Sequence, residues 1–417
     1  MGKPRSFFSR NRKVQTVNRI VTEQREAGLI MQRAGSGDGA EWTVDGQVLT
    51  NFASCSYMGL ERHPLLHAGA LRALQEYGSN FSISRAYLQC SLYNEIEDAL
   101  SEAMGRPTLV TPSTTVAHLC ALPVLIGDKD LVLVDQFAHA SVHMATDAIA
   151  DVPIELLRHN RADLLEQRLA NLEPDVERVW YLCDGVYSML GNFAPFAELR
   201  RLLDKYPKLH LYVDDAHAMS WLGKHGRGAA LNFLQQSERV VVAVSLSKAF
   251  GASGGAIAFG NQTQRDLVRQ CGGPLMFSGP MPPAALGACL ASAKLHLSAE
   301  FAAMQEELQA KVAYARSALS AAGLTLATED QTPVLVLHYD NIPAARAVVR
   351  GMRERGYFTC ISTFPAVPLN KPSVRFTISR HNSYEDIQGL VANLAELAGG
   401  QPRVSGIVGL SVEEATA

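Results

Sequence analysis

The sequence predicts an α/β fold, with a large domain built on a mostly parallel central sheet and a smaller α+β domain after it. The first observation is a series of short Val- and Leu-rich runs between positions 108 and 245, such as LVLVD and RVVVAVS. The second is that amphipathic stretches such as ADLLEQRLANL and FAELRRLLDKYP separate those runs. Continuous apolar strands that alternate with helices are typical of a parallel sheet covered on both faces. The third is that this alternation gives way to a long helical pattern after about position 287.

The N-terminal region contains three predicted elements. They are a helix from about Val14 to Met31, a glycine-rich linker at RAGSGDGAEW and a β-hairpin whose turn is Asp45-Gly46. Two amphipathic helices follow between about Pro64 and Met104. The six apolar runs of the central sheet are then TLVTP, LVLVD, PIELLR, RVWYLCDG, HLYVDDAH and RVVVAVS.

The C-terminal part is predicted to begin with one long helix, LASAKLHLSAEFAAMQEELQAKVAYARSALSAAG. Two strands, TPVLVLHY and SVRFTIS, follow with a helix between them. These patterns divide the chain into an N-terminal arm, helix and linker (1–46), a large domain (47–288), a small α+β domain (289–400) and a tail (401–417).

Composition excludes several classes of function. Of the 417 residues, 47% are hydrophobic and 19% charged, which is typical of a globular protein and not of a disordered one. A net charge of −3 gives no electrostatic basis for nucleic-acid binding. The sequence has no apolar stretch long enough to span a membrane, so no integral membrane association is expected. Seven singly spaced cysteines without a C-x-x-C motif predict reduced thiols, a cytoplasmic location and no metal site.

Polar side chains follow the predicted strands directly, at the edge where parallel strands end. Ligands of open parallel α/β sheets bind beyond the carboxyl ends of the strands, so these side chains are the candidates for chemistry. In chain order they are Asp135 and His139, Asp184 and Ser188, Asp214, Asp215 and His217, and Ser245, Ser247 and Lys248. The run Ser113-Thr114-Thr115 begins an apolar helix, where free backbone N–H groups and the helix dipole suit a phosphate.

Each of these residues has a simpler explanation when it is taken alone. Lys248 could be a surface lysine, His139 a packed or capping histidine, and Ser113 an ordinary helix N-cap. Together, however, the sheet edge carries a lysine, an acid, a histidine and a helix start that suits phosphate. Pyridoxal 5′-phosphate (PLP) needs this set, because it forms a Schiff base with a lysine and its pyridine nitrogen pairs with a carboxylate. The sequence therefore predicts PLP held covalently on Lys248.

Two longer motifs, DDAHAMSWLGKHGRG and SLSKAFGASGG, resemble the paired signatures of the fold-type I, PLP-dependent α-oxoamine synthases. The resemblance extends from SCSYMGLERHP to SVRFTISRHNSYEDI, which is most of the chain. It implies that Lys248 is the Schiff-base lysine and that Asp214 pairs with the pyridine nitrogen. It also implies that His217 contacts the phenolic oxygen and that His139 stacks on the ring. Ser188, in VYSMLGNFAP, matches a serine near the cofactor.

The same resemblance implies the phosphate contacts and the assembly. Ser245 corresponds to a residue that helps to hold the phosphate, and Thr114 and Thr115 contribute in the loop that Ser113 begins. Ser278, in MFSGPMPP, corresponds to a residue that reaches the phosphate of the partner subunit. The resemblance therefore implies a homodimer.

The family reaction condenses an amino acid with an acyl thioester, carried by CoA or by acyl-carrier protein. Loss of CO2 then gives an α-amino ketone. Arg375, in SVRFTIS, corresponds to the arginine that anchors the amino-acid carboxylate, which suits the bidentate geometry of guanidinium. An aminotransferase or a C–C lyase of the same fold remains open. An inert partner subunit remains open as well, although the presence of Lys248 and Asp214 argues against it.

Several positions depart from the family pattern. Cys55 and His118 stand where the family has asparagines, Tyr93 where it has a histidine, and Asp184 where it has a glutamate, while Thr115 alters the S-G-F loop. Cys55 and Tyr93 are thus candidates for substrate binding. From these changes we expect an altered preference for the acyl group or for the amino acid, and an acyl chain of medium to long length. SRAYLQCSLY also resembles the autoinducer-synthase branch, which joins a medium-chain acyl group to a small amino acid. Glycine, alanine, serine and 2-aminobutyrate remain open as the amino acid.

Overall fold

The computed structural model describes residues 12–149, 151–234, 237–364, 366–367 and 370–398. The N-terminal arm before residue 12, the last two residues of the expected small domain and the tail 401–417 lie outside the described residues. The strands are β1 (Ala34–Gly37), β2 (Glu41–Val44), β3 (Gln47–Asn51), β4 (Thr108–Thr111), β5 (Asp130–Asp135), β6 (Ile154–Leu157), β7 (Arg178–Asp184), β8 (Leu209–Asp214), β9 (Val240–Ser245), β10 (Gly255–Ala258), β11 (Val334–His338), β12 (Tyr357–Phe358), β13 (Cys360–Ser362) and β14 (Ser373–Thr377). The helices are α1 (Arg12–Glu26), α2 (Pro64–Tyr77), α3 (Ser91–Met104), α4 (Thr114–Leu125), α5 (Ala140–Thr146), α6 (Ala162–Ala170), α7 (Phe196–Lys205), α8 (Gly228–Phe233), α9 (Gln262–Cys271), α10 (Gly273–Phe277), α11 (Pro283–His296), α12 (Phe301–Ala321), α13 (Ile342–Glu354) and α14 (Tyr384–Ala398).

The central sheet has seven strands in the order β4-β10-β9-β8-β7-β5-β6. All neighbouring pairs from β9 to β6 are parallel, and only β10 runs antiparallel to its two neighbours. The strands β4, β5 and β7 to β10 are buried almost throughout, which explains their continuous Val- and Leu-rich sequences. The mostly parallel sheet matches the prediction. The sequence did not reveal β10, because GAIA is only four residues long and begins with glycine.

The N-terminal region differs from its prediction in three ways. The helix ends at Glu26 rather than near Met31, because Gly28 adopts a left-handed conformation (φ 70°) that closes the last turn. Part of the expected linker is β1, which pairs with β2. The hairpin around Asp45-Gly46 is present, so the expected boundary between residues 46 and 47 would divide one hairpin.

The expected single long helix is two helices, α11 and α12, separated by residues 297–300. The expected boundary at 288/289 falls inside α11. That helix packs so closely on α2 that a Cβ added at Gly69 or at Gly287 would overlap the other helix. The division of the chain into a large and a small domain stays a prediction.

A second sheet, of order β11-β14-β13, lies in the C-terminal part and carries Arg375 on its central strand. The short strand β12 pairs in parallel with β3 and so joins the C-terminal part to the N-terminal hairpin. Among the described residues, no helix has the length and apolar character needed to cross a membrane.

Candidate active site

The loop that follows β9 holds Lys248 in a closed turn. The hydroxyl of Ser247 donates to the carbonyl of Gly254 (3.1 Å) and accepts from its N–H (2.9 Å), so the loop is closed on itself. A Cβ at Gly251 would overlap Leu60, and Gly251 has a positive φ of 79°, which explains the glycine at this position. Lys248 is half-buried and, within the described part of the chain, its side-chain amine makes neither a hydrogen bond nor an ion pair. Its amine is therefore free to react.

Asp214 and Asp184 end adjacent strands and are direct partners in the sheet register. Both are almost fully buried, and burial alone would raise the pKa of each. For Asp214 the imidazole of His118, 3.0 Å from Oδ2, outweighs burial and holds the pKa below its ordinary value. For Asp184 burial and the neighbouring charge of Asp214 hold the pKa well above its ordinary value. The surroundings of the pair thus favour the ionised form of Asp214 and the protonated form of Asp184.

His118 is fully buried and fixes Asp214 in place. Its Nε2 donates to the carboxylate, which can only accept, and its Nδ1 lies 2.9 Å from the hydroxyl of Tyr212. Sequence reasoning noticed His118 only as a departure from the family asparagine. The available signal was a histidine within a helix, TTVAHLCALPVL, whose other residues after the two threonines are apolar.

His217 lies on the loop after β8 and is hydrogen-bonded to Tyr57. Like His118, Tyr57 was missed by sequence reasoning. The Tyr57 hydroxyl lies 2.7 Å from His217 Nδ1. Burial, reinforced by the positive charges of Lys248 and Arg375, lowers the pKa of His217 well below its ordinary value, so the ring is neutral. When Tyr57 donates to Nδ1, the single ring proton resides on Nε2, which becomes a donor.

His139 caps the N-terminus of α5 and is anchored by Asp184. Its backbone N–H donates to Asp184 Oδ1 (2.9 Å), and its Nδ1 lies 2.6 Å from the hydroxyl of Ser141. The side chain keeps solvent contact, but partial desolvation of the ring and the charge of Lys248 lower its pKa. The charge of Asp214 opposes this shift, which shows that His139 lies within electrostatic reach of both Asp214 and Lys248.

The predicted phosphate residues cluster at the start of α4. Ser113 is the N-cap, and its hydroxyl accepts from the N–H of Val116 (3.1 Å). Thr114 donates to the Val244 carbonyl (3.3 Å), which ties the helix start to β9. A Cβ at Gly255 would overlap the Thr114 backbone, so the glycine lets β10 approach this helix start closely. The other two predicted phosphate residues are Thr115, which is half-buried, and Ser245, whose hydroxyl accepts from the N–H of Ser247 at 3.2 Å.

Arg375 links the C-terminal sheet to the end of β7. Its Nε donates to the carbonyl of Ser188 (2.7 Å), and its Nη2 lies 3.6 Å from the Sγ of Cys55. Burial would raise the pKa of the Cys55 thiol, but the charges of Arg375 and Lys248 outweigh burial and lower it. The structure thus brings Arg375, Cys55 and Ser188 together beside Lys248. We call Lys248, Asp214, His217, His139 and Arg375 the strand-end cluster.

The structure does not bring two of the predicted residues, Tyr93 and Ser278, into this cluster. The Tyr93 hydroxyl accepts from the N–H of Met281 (2.8 Å), and its ring packs against the guanidinium of Arg85 at 3.6 Å. Ser278 donates to the carbonyl of Pro274 (2.5 Å) and follows Phe277, which is 86% exposed. Tyr93 therefore makes core contacts, and Ser278 lies at the surface of the single chain.

Comparison with known proteins decides the family. The chain matches the aminotransferase class I and II family over residues 47–394. It belongs to that family. It is 30% identical to 8-amino-7-oxononanoate synthase of Coprothermobacter proteolyticus, over 90% of this chain and 95% of that protein. It is also 30% identical to the mitochondrial 2-amino-3-ketobutyrate coenzyme A ligase of Bos taurus, over 87% and 86% of the two chains.

Solved structures agree in fold. Serine palmitoyltransferase of Sphingomonas wittichii superposes with a TM-score of 0.87 at 23% identity, covering 95% of this chain and 100% of that one. The S. paucimobilis enzyme with a bound PLP–myriocin aldimine gives 0.85 at 22% identity, covering 94% and 99%. The predictions of the fold class, of an enzyme and of membership of the α-oxoamine synthases are confirmed.

Proposed function

We propose that this chain is a PLP-dependent α-oxoamine synthase, which condenses a small amino acid with an acyl thioester and releases CO2 and the free thiol. The observation that carries the proposal is a half-buried lysine amine without a partner, beside an ionised aspartate and a neutral histidine. The named relatives support the reaction class, since they include an 8-amino-7-oxononanoate synthase and a 2-amino-3-ketobutyrate coenzyme A ligase.

The chemistry of the donor set fits PLP. Lys248 offers an unpaired amine for the covalent bond, and Asp214 offers a carboxylate that His118 keeps ionised. His217 offers a donor at Nε2 for the phenolic oxygen. The start of α4, at Ser113 and Thr114, would hold the phosphate. When bound, PLP supplies an electron sink for the electron pair left at Cα of the amino acid.

The chain's own residues then have separate roles in the reaction. Arg375 binds the amino-acid carboxylate, and Lys248 Nζ accepts the proton that leaves Cα. Asp214 would stabilise a proton on the pyridine nitrogen, because a buried carboxylate favours a cationic partner. His139, whose pKa the charge of Lys248 helps to lower, would stack on the cofactor ring. Overall, a C–C bond forms between Cα and the thioester carbonyl carbon, the C–S bond breaks to release the thiol, and the carboxylate leaves as CO2 while a proton takes its place.

The surface around Ser278 supports the expected homodimer. Tyr87 and Phe277 are each 86% exposed and, with Ser278, line one cleft of the single chain. Large exposed aromatic side chains are enriched at protein interfaces. Analytical ultracentrifugation of the purified protein tests the dimer.

The seven cysteines are all free thiols, which suits a reducing compartment such as the cytoplasm.

The experiment for the reaction combines small amino acids with acyl-CoAs and follows thiol release and CO2 evolution. We expect both products only when an amino acid and a thioester are present together, and neither with Lys248→Ala. The matched control is Lys129→Ala, since the Lys129 side chain is largely exposed and precedes β5, at the opposite end of that strand from Asp135. Amine transfer to an oxo acid without thiol release would instead indicate an aminotransferase. Failure of the protein to bind PLP would instead indicate an inert partner subunit.

A further inference from the structure

A groove of about 960 Å³ extends from the strand-end cluster to the edge of the central sheet. We call it the edge groove. One side is formed by α5 and the edge strand β6, and the other by the loop after β7 and residues 366–367. Its volume lies within the range of small-molecule binding sites.

The inner end of the edge groove is part of the candidate active site. His139 and Ser188 both line it. The Ser188 carbonyl accepts from Arg375, and the ring of His139 lies within electrostatic reach of Lys248. A ligand in the groove would therefore present one end to the reacting groups.

The outer part of the groove exposes large apolar side chains. Ile154 and Leu156 are 42% and 68% exposed and lie on the same face of β6, because alternate residues of a strand share a face. Met144, on α5, is 57% exposed. Single exposed apolar residues need no explanation, but three that line one groove leading to an active site indicate an apolar ligand.

The charges of the lining argue against a nucleotide. Among the described residues that line the groove there is no lysine or arginine, whereas Asp147 is an exposed carboxylate. A pyrophosphate would need cationic partners and would be repelled by Asp147. An alkyl chain needs neither, so the lining favours the acyl group over the CoA nucleotide.

We propose that the edge groove binds the acyl chain of the thioester and selects chains of medium to long length, an inference that rests on the proposed condensation. The sequence-based expectation of such a chain relied on Cys55, Thr115 and Tyr93. None of these three lines the groove. The selection is made instead by Met144, Ile154 and Leu156.

The test measures KM for acetyl-, butanoyl-, octanoyl-, decanoyl- and palmitoyl-CoA on the holoenzyme by thiol release. For wild type we expect KM to fall roughly fourfold for each added methylene that the groove buries. Leu156→Asn and Met144→Gln place polar groups at exposed positions, where folding tolerates them. We expect each to raise KM for decanoyl-CoA by about tenfold and to flatten the dependence on chain length. The matched control is Leu267→Asn, an exposed leucine on α9 outside the groove, which should behave as wild type.

A second measurement separates failure of the groove from failure of the reaction. It follows the binding of a dansyl-labelled medium-chain fatty acid to the same holoenzymes by fluorescence. Thiol release with the same chain-length dependence in wild type and both groove variants would overturn the groove and leave the reaction intact. If no thioester releases thiol, weaker probe binding by the two variants than by Leu267→Asn still supports the groove. Equal binding by all of them, or none, overturns it.

Discussion

The strand-end cluster and the edge groove are built in opposite ways. In the cluster, buried polar groups are fixed by specific partners, as Asp214 is by His118, His217 by Tyr57, and Arg375 by Ser188. In the groove, large apolar side chains remain exposed to solvent. This difference indicates that a buried network sets the protonation states in the cluster, whereas the exposed side chains of the groove can be exchanged at low cost in stability.

The largest expected effect tests whether Asp214 and Asp184 differ in protonation, as their surroundings indicate. Asp214→Asn removes the ionised partner of the cofactor, and we expect kcat to fall about a thousandfold. Asp184→Asn replaces a carboxyl group whose surroundings favour the protonated form with a neutral amide that can still accept from the His139 N–H. It should cost less than about tenfold. Steady-state kinetics on both variants check this, with circular dichroism to confirm folding. Equal losses would contradict the assignment of charge.

Arg375→Lys tests the cluster's contact with substrate. Lysine cannot reproduce a bidentate guanidinium–carboxylate pair, so we expect KM for the amino acid to rise about a hundredfold, with a smaller change in kcat. The control is Arg355→Lys, at a surface ion pair with Glu396. An unchanged KM would place the carboxylate elsewhere.

The fold and much of the cluster could be predicted from the sequence, because they depend on local signals. Lys248 and Asp214 each follow a continuous apolar strand, and the end of a parallel strand is where ligands bind. Local sequence could not reveal that His118 lowers the pKa of Asp214 and so keeps it ionised. The two residues are 96 positions apart and meet only through the packing of α4 on the sheet. The edge groove was hidden for the same reason, since it joins α5, β6 and residues near 188 and 367. Tyr93 as a substrate-binding residue stays a prediction, and sequence correspondence could not reveal that its hydroxyl accepts from the Met281 N–H.

A smaller effect is expected from Asp215, on the pH dependence of the free energy of unfolding. Burial, with the charge of Asp214, raises its pKa to about 7. Between about pH 4 and 7 the folded state therefore keeps a proton that the unfolded state releases, so this group's contribution to stability is present at pH 4 and is lost as the pH rises to 7. We expect Asp215→Asn, which can still accept from the Ala230 N–H, to remove roughly 1–3 kcal/mol of this pH dependence. Urea unfolding of both proteins at pH 5 and 7.5 measures it. Parallel pH profiles would refute the raised pKa.

The smallest expected effect tests whether His118 is a positioning residue that lowers the pKa of Asp214. In His118→Asn, burial of Asp214 is no longer opposed by the imidazole, so the pKa of Asp214 should rise. Asp214 would then gain its proton at a higher pH as the solution is acidified, and the acid limb of the activity and of the cofactor absorbance should move to higher pH. Spectrophotometric titration of the holoenzyme checks this. A merely structural role for His118 would lower the melting temperature and leave the acid limb unmoved.

The most direct test of the proposal that Lys248 binds PLP covalently is to find the residue that carries the cofactor. The purified protein is treated with borohydride, which makes the lysine–cofactor bond permanent, and is then digested and examined by peptide mass spectrometry. We expect a phosphopyridoxyl group on Lys248 in the peptide that contains SLSKAFGASGG. A group on another lysine, or on none in protein supplied with PLP, would contradict it.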